Sequence, residues 1–294
     1  MSTNLTHSPE TFDTDALQTH WGKIREIFRY RYLLRNLVVR DLKVRYKNSI
    51  LGVLWSLLNP LLMMVVYTVL FTVLFGGNQI RQYPIFILVA LIPWQLLAGS
   101  IVGGTVSITS NAPLIKKVYF PRVLLPASRM LSMLVNFAFA LLVLIILLYL
   151  FGIGLTVHAL WVPFILLTQI VFMLGLMFIF ATLQAFYRDT MMILEVAMLA
   201  WFFMTPIFYP YERFSEYAEL MGIGINPARW MRWLNPMASI VDSYRTVLWG
   251  NVKSSGPVSM DPLLLLRTFV TAVIILVIGY LFFIKMEYLF GEKL

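Results

Sequence analysis

Long uncharged apolar runs alternate with short polar joints along this chain, and the runs have the length of a bilayer crossing. A helix through the hydrocarbon core needs about 20 mostly apolar residues. Six segments meet that requirement: 51–75, 84–107, 130–151, 160–186, 191–209 and 263–284. The first two carry no charge, and the third contains the unbroken apolar run from Phe137 to Phe151. Glu195 lies near one end of the fifth and Arg267 near the start of the sixth, with Arg129 bordering the third. The pattern predicts an all-α polytopic membrane protein with six transmembrane helices.

The segments between the spans have patterns of their own. Residues 1–21 form a polar tail with no Lys or Arg before residue 23 and no apolar core of a signal peptide. Residues 22–48 read as an amphipathic helix lying in the cytoplasmic interface. Arg25, Arg29, Tyr32, Asn36, Arg40, Lys43 and Lys47 recur at spacings of three and four, which places them in one polar stripe. Ile24, Ile27, Phe28, Leu34, Val38 and Leu42 fall on another face, interrupted by Arg31 and Arg35, whose stems can snorkel toward head groups. The rival reading is an ordinary basic flank of the first span, which requires no periodic pattern of this length.

Between spans two and three, residues 111–122 are basic and bracketed by Pro113 and Pro121. Two readings stand here, a compact docking knob for a soluble partner and a plain connection. The segment 211–262 before the last span carries Trp230, Trp233 and Trp249, with Asn226-Pro227 and Asn235-Pro236 as breakers. Short re-entrant helices over 211–245 fit that pattern, because irregular backbone is tolerated at membrane depth where protein shields it or it lines a water-filled path. An interfacial aromatic belt fits the same residues.

Composition sharpens this picture. Of 294 residues, 60% are apolar and 13% charged, with a mean hydropathy of +0.81. Soluble domains carry roughly 45–50% apolar and about 25% charged residues. The net charge of +9 is unevenly distributed, because nine of the 23 Lys and Arg precede residue 50. An even number of spans puts both termini on one side, and 16 basic residues then lie on that side against seven on the other. The positive-inside rule makes the terminal side cytoplasmic. The surplus reflects topology and an anionic lipid surface, and no nucleic acid partner is implied.

Several chemistries lack their residues. Cysteine is absent, which removes thiolate metal sites and thiol nucleophiles, and three scattered histidines (His7, His20, His158) suggest no metal site. No phosphate-binding G-x-x-x-x-G-K-[ST] loop occurs, so the expectation is no cofactor on this chain, with ATP and magnesium bound by a partner. The polar groups deeper in the spans are neutral or aromatic. Asn59, Met63, Tyr67, Phe71 and Phe75 recur every four residues in the first span, and Met198, Phe202, Pro206 and Tyr209 nearly so in the fifth, beside Trp201. Trp94 stands mid-span in the second. Aromatic faces can stack on sugar rings, and a conduit needs binding weak enough to permit exit. Asn59, Tyr67, Phe71, Trp94, Trp201, Phe202 and Tyr209 are therefore candidates to line a channel, against the plainer reading of helix packing.

Four stretches carry a resemblance. Residues 40–60 read RDLKVRYKNSILGVLWSLLNP, residues 111–121 read NAPLIKKVYFP, residues 203–210 read FMTPIFYP, and residues 234–245 read LNPMASIVDSYR. In this order they resemble the membrane subunit of type-2 ABC exporters, in the branch that exports polysaccharides and polyol phosphates. The resemblance covers about residues 25–250. It implies a homodimer, two copies paired with two ATP-binding cassette subunits, that moves a lipid-linked glycan of the O-antigen or teichoic-acid type across the cytoplasmic membrane. It also implies a gate helix containing Arg25, Arg29, Arg40, Lys43 and Lys47 near the lipid head groups. Asn111, Leu114, Ile115, Lys116, Lys117 and Tyr119 would contact the ATPase subunit. A type-2 permease for a drug or lipid is the near alternative. A membrane glycosyltransferase is more remote, since such an enzyme needs a metal-binding carboxylate pair at a membrane face and the chain's D-x-D triplet, Asp13-Thr14-Asp15, lies in the polar tail; a channel without its own energy source is a third class.

Overall fold

The computed structural model describes residues 29–47, 49, 51–52, 54–74, 80–210, 227–251 and 254–293. The tail over 1–21, the start of the expected interfacial helix with Arg25, Phe75, and residues 211–226 of the outer segment lie outside the described residues. Among the described residues the structure is helical, with no strand. The helices are α1 (Arg31–Tyr46), α2 (Leu54–Val69, continued by a wide turn Leu70–Leu74), α3 (Tyr83–Thr105) and the short α4 (Ala112–Lys117). They continue with α5 (Leu124–Leu150), α6 (Val162–Phe186), α7 (Thr190–Met204), α8 (Pro227–Leu234), α9 (Pro236–Leu248), α10 (Pro262–Glu287) and α11 (Phe290–Lys293).

Five helical stretches are long and apolar enough to cross a membrane: Leu54–Thr72, Tyr83–Thr105, Leu124–Leu150, Val157–Phe186 and Pro262–Glu287. The sixth expected span, 191–209, differs. Its helix α7 covers 15 residues and ends at Met204, after which Thr205–Pro210 runs without helix. The reason is local: Pro206 disfavours helical geometry at Thr205, which is extended (ψ 134°), and Pro210 closes the stretch. An apolar run therefore outlasts the helix it contains, and the count of six helical crossings does not follow from apolarity alone.

The bundle is organised around α3. A helix that is apolar on every side has no face for water and is buried; 78% of the apolar window of α3 lies inside the protein, against 11% in α2 and 17% in α10. Helices α2, α5, α6, α7 and α9 all pack on α3. The most intimate crossing is α6 with α10, where glycine faces backbone. A Cβ on Gly175 would stand 2.6 Å from the Leu276 nitrogen, and one on Gly279 would collide with the Gly175 carbonyl. Small residues let two backbones approach this closely, which is how helices associate in lipid without a hydrophobic driving force.

Ends follow ordinary capping rules. Helix α5 stops at Gly152 (φ +74), a left-handed residue that suits glycine, and the Gly154 and Ile153 amides donate to the Leu148 carbonyl. Asn235 caps α9 through its side chain, accepting from the Ala238 amide, and Asp261 does the same for α10 at Leu263. Proline follows at the first helical position in both, where its missing N–H costs nothing. Unlike its neighbour α8, α9 is buried along nearly its whole length against α3, α6 and α10.

Candidate functional site

The break after α7 is held by two side chains from α9. The Asn235 carboxamide accepts from the Trp201 indole N–H (2.9 Å) and donates to the Thr205 hydroxyl (3.2 Å) while it caps its own helix. Ten residues on, Arg245 is 4% exposed. Its guanidinium donates to the carbonyls of Pro206 (2.5 Å), Ile207 (2.6 Å) and Phe86 (3.3 Å), and lies 3.6 Å from the Phe86 ring centre. Carbonyls outside a helix must find donors when water is absent. Two of the four sequence stretches singled out above, FMTPIFYP and LNPMASIVDSYR, thus interlock. Tyr244 beside Arg245 is 1% exposed, and burial pushes its phenol well above the ordinary value.

The aromatic candidates gather around this break. Tyr67 packs on Phe202 and Phe208, and Phe71 stacks on Phe208 and meets Tyr83 edge-on. Trp94, 6% exposed, stands edge-on to Trp201 and tilted against Phe202. The Tyr209 hydroxyl donates to the Phe203 carbonyl. Within one chain the rings of Tyr67, Phe71, Trp94, Trp201 and Phe202 form one contiguous cluster with Phe208. Asn59 stands apart, exposed on α2. Glu195 is exposed on α7, and Arg267 lies 4.4 Å from the Trp233 ring centre while donating to the Arg232 carbonyl (2.5 Å). Of the three tryptophans in the outer segment, Trp230 and Trp233 are exposed, whereas Trp249 is buried and donates to the Arg81 carbonyl.

Helix α1 lies against α5. Arg29, Tyr32, Asn36, Arg40, Lys43 and Lys47 of the polar stripe are exposed, and so are Arg31 and Arg35. The seated face carries Leu37 and, unexpectedly, Asp41, both buried. Asp41 pairs with Arg40 (3.2 Å) and with Arg129 of α5 (3.3 Å). This acid is the single negative charge between residues 22 and 48 apart from Glu26. Its four-residue step from Leu37 was the signal that could have assigned it to the packed face.

Residues 109–122 form a knob. Thr109–Asn111 makes one tight turn, α4 follows, and Val118 is extended. Asn111 is buried and donates to the Ser107 carbonyl (2.8 Å), while Ile115 is buried and Leu114 half-buried. Lys116, Lys117 and Val118 face outward, and Tyr119 is 86% exposed. Behind them Arg122 anchors the knob to the C-terminal end of α10: its backbone amide donates to Glu287 Oε1 (3.1 Å), its guanidinium to the Glu287 carbonyl, and it lies over the Phe290 ring. The sequence offered no hint of that clamp, which joins residues 165 positions apart.

A cleft of about 470 Å³ opens where α1 ends, between α2, α3 and α5. Arg45 and Tyr46 stand at its α1 side, Asn59 and Trp55 come from α2, Gln95 from α3 and Asn136 from α5. The Tyr46 hydroxyl donates to Asn136 Oδ1 at 2.5 Å. Of these only Asn59 is among the channel candidates named above.

Comparison with known proteins follows the same outline. The family model described as ABC-2 type transporter matches residues 32–249. The chain is 37% identical over 226 residues to an O-antigen export system permease protein RfbA of Myxococcus xanthus, covering 77% of this chain and 84% of that protein. Two proteins of Klebsiella pneumoniae with the same name are 33% identical over 267 residues and 32% identical over 275. They cover 90% and 92% of this chain, and 96% and 99% of their own lengths.

Proposed function

Since this chain belongs to the ABC-2 type transporter family as a membrane-spanning transport subunit, we propose that it is the permease of an ATP-driven exporter for a lipid-linked polysaccharide. The observation that carries this reading is the near end-to-end match to O-antigen export permeases, at about a third identity over 90% or more of both chains in two cases. On this reading O-antigen-type glycan is the cargo, and a teichoic-acid-type glycan has the same lipid-phosphate-sugar chemistry. The chain works as a homodimer with two ATP-binding subunits, which supply ATP and magnesium. It lies in the cytoplasmic membrane with both termini inside.

The residues support a division of labour. The knob presents Tyr119, Lys116 and Lys117 outward on a base fixed by Arg122, a shape suited to carrying the motion of an ATPase into the bundle. Helix α1 holds its basic stripe at the lipid surface and is tied to α5 through Asp41 and Arg129, so displacement of one moves the other. The aromatic cluster at the α7 break supplies the path once two copies face each other, because stacked rings bind sugar weakly enough to release it.

The test uses vesicles holding this chain and its ATPase partner. Lipid-linked glycan should stimulate ATP hydrolysis, and deletion of the chain from cells should remove the glycan from the surface. Unstimulated hydrolysis together with normal surface glycan after deletion would refute the reading.

A further inference from the structure

We propose that Arg122, Glu287 and Phe290 are positioning residues for energy coupling: their clamp makes the knob drive α10, and with it α6, in step with α3 and α5. This rests on the export reading, which places the ATPase on the knob. The chain itself joins the knob to α3, which ends at Thr105, and to α5, which begins at Leu124. Its link to α10 is noncovalent, between residues 165 positions apart. A push on the knob therefore reaches two helices through the backbone and the others only through contacts.

Those contacts are of two kinds. Ile115, Phe120 and Leu124 are buried in one apolar cluster with Phe178, Phe283 and Phe290. Apolar contact is non-directional, so alone it would let the knob slide along the end of α10. The hydrogen bonds fix the register, and they are reciprocal. The Arg122 amide donates to Glu287 Oε1 (3.1 Å), and the Arg122 guanidinium donates to the Glu287 carbonyl. Each bond meets a need that the local chain leaves open. The Glu287 carbonyl is the last of α10, among those without a partner inside that helix, and a cation there also suits the helix dipole. The Arg122 amide lies ahead of the first turn of α5. Phe290 completes the clamp. It is fully buried, lies 5.9 Å from the Arg122 guanidinium, and packs on Phe186 at the end of α6 and Phe283 of α10. From there α6 and α10 move as a pair, because their backbones meet at Gly175 and Gly279. Coupling between distant parts of a protein is carried by such chains of packed side chains, hydrogen bonds and rigid helices.

The test reads glycan moved per ATP hydrolysed, in vesicles holding this chain and its ATPase partner. Glu287→Ala should lower that ratio about tenfold, the weight of one hydrogen bond to a charged group in holding the knob in register. Glu287→Gln keeps the oxygen that accepts from the Arg122 amide and should hold the ratio within about twofold of wild type. A residue that only stabilised the fold would change the amount of intact complex and leave the ratio per ATP alone. Arg122→Met keeps the side-chain stem but loses the guanidinium; its ratio should fall roughly threefold or more, and it carries the test if Glu287→Ala does not assemble. Hydrogen exchange over 112–118 should rise in both uncoupled variants while that of α3 stays at the wild-type level. Wild-type ratios in Arg122→Met and in any assembled Glu287→Ala complex would overturn the clamp and leave the export reading standing. A Glu287→Gln ratio as low as that of Glu287→Ala would overturn the assignment of the amide bond. A wild-type complex that moves no glycan with ATP would overturn the export reading, and the coupling role with it.

Discussion

At Arg245 a guanidinium buried among apolar helices serves carbonyls that the α7 break leaves outside any helix. Its planar fork reaches two of them at once from two nitrogens in fixed geometry, which the single ammonium nitrogen of a lysine does not reproduce. Arg245→Lys is therefore expected to lower stability by about 3 kcal/mol, since hydrogen bonds from charged groups are each worth about 1.5–3 kcal/mol. Thermal unfolding in detergent measures it, and a midpoint equal to wild type would contradict the interlock. Asn235→Ala should cost a similar amount, about 1 kcal/mol for the cap and about 1 kcal/mol for each of the bonds to Trp201 and Thr205. Neither role was legible beforehand. Asn235-Pro236 reads as a breaker, and only tertiary contact turns it into the cap of α9 and the tether of α7. Asp41 was obscured for a different reason, because an acid in a basic helix suggests local charge balance, and its partner Arg129 lies on another helix.

Among the elements, the long apolar runs were readable, and their boundaries shifted where local side-chain or proline chemistry intervened. Helix α5 begins at Leu124, several residues before the expected start at 130, and Ser128 in that added segment is satisfied within the helix by donating to the Leu125 carbonyl. Helix α7 ended early because hydropathy does not register the helix-ending effect of Pro206. The α6–α10 crossing is specified by Gly175 and Gly279, which an apolar pattern cannot distinguish from other small residues. Gly175→Ala should separate these helices at a cost of about 1–3 kcal/mol, as overpacking does, whereas Gly103→Ala, whose Cβ would meet only Arg129 at 3.9 Å, should be neutral. Equal thermal midpoints for the two variants would contradict the close crossing. For α1, Asp41→Asn should loosen the helix from α5 without unfolding the bundle. Hydrogen exchange over 31–46 should rise while that of α3 stays fixed, and unchanged exchange in α1 would show that the ion pair does not hold it.

For the whole molecule, the proposed function separates a docking knob, an interfacial helix and a path. The knob at 109–122 and the C-terminal end of α10 are clamped together, and α1 is tied to α5, so these elements form a connected layer at one end of the bundle. The charge distribution led to the expectation that these elements face the cytoplasm, and the absence of a phosphate-binding loop to the expectation of a separate ATPase. Residues 114–117 and Tyr119 are where the two activities should come apart. The measurement that tests the account most directly is therefore glycan-stimulated ATP hydrolysis and glycan transfer, followed together in vesicles holding this chain and its ATPase partner, with and without Tyr119→Ala and Lys117→Glu. The account predicts that the wild-type complex couples the two activities, and that the double variant keeps its fold and basal hydrolysis but loses stimulation and transfer roughly tenfold or more, the loss of one or two docking contacts. A double variant that transfers glycan at the wild-type rate would contradict the coupling role of the knob, and a wild-type complex indifferent to glycan would contradict the export function.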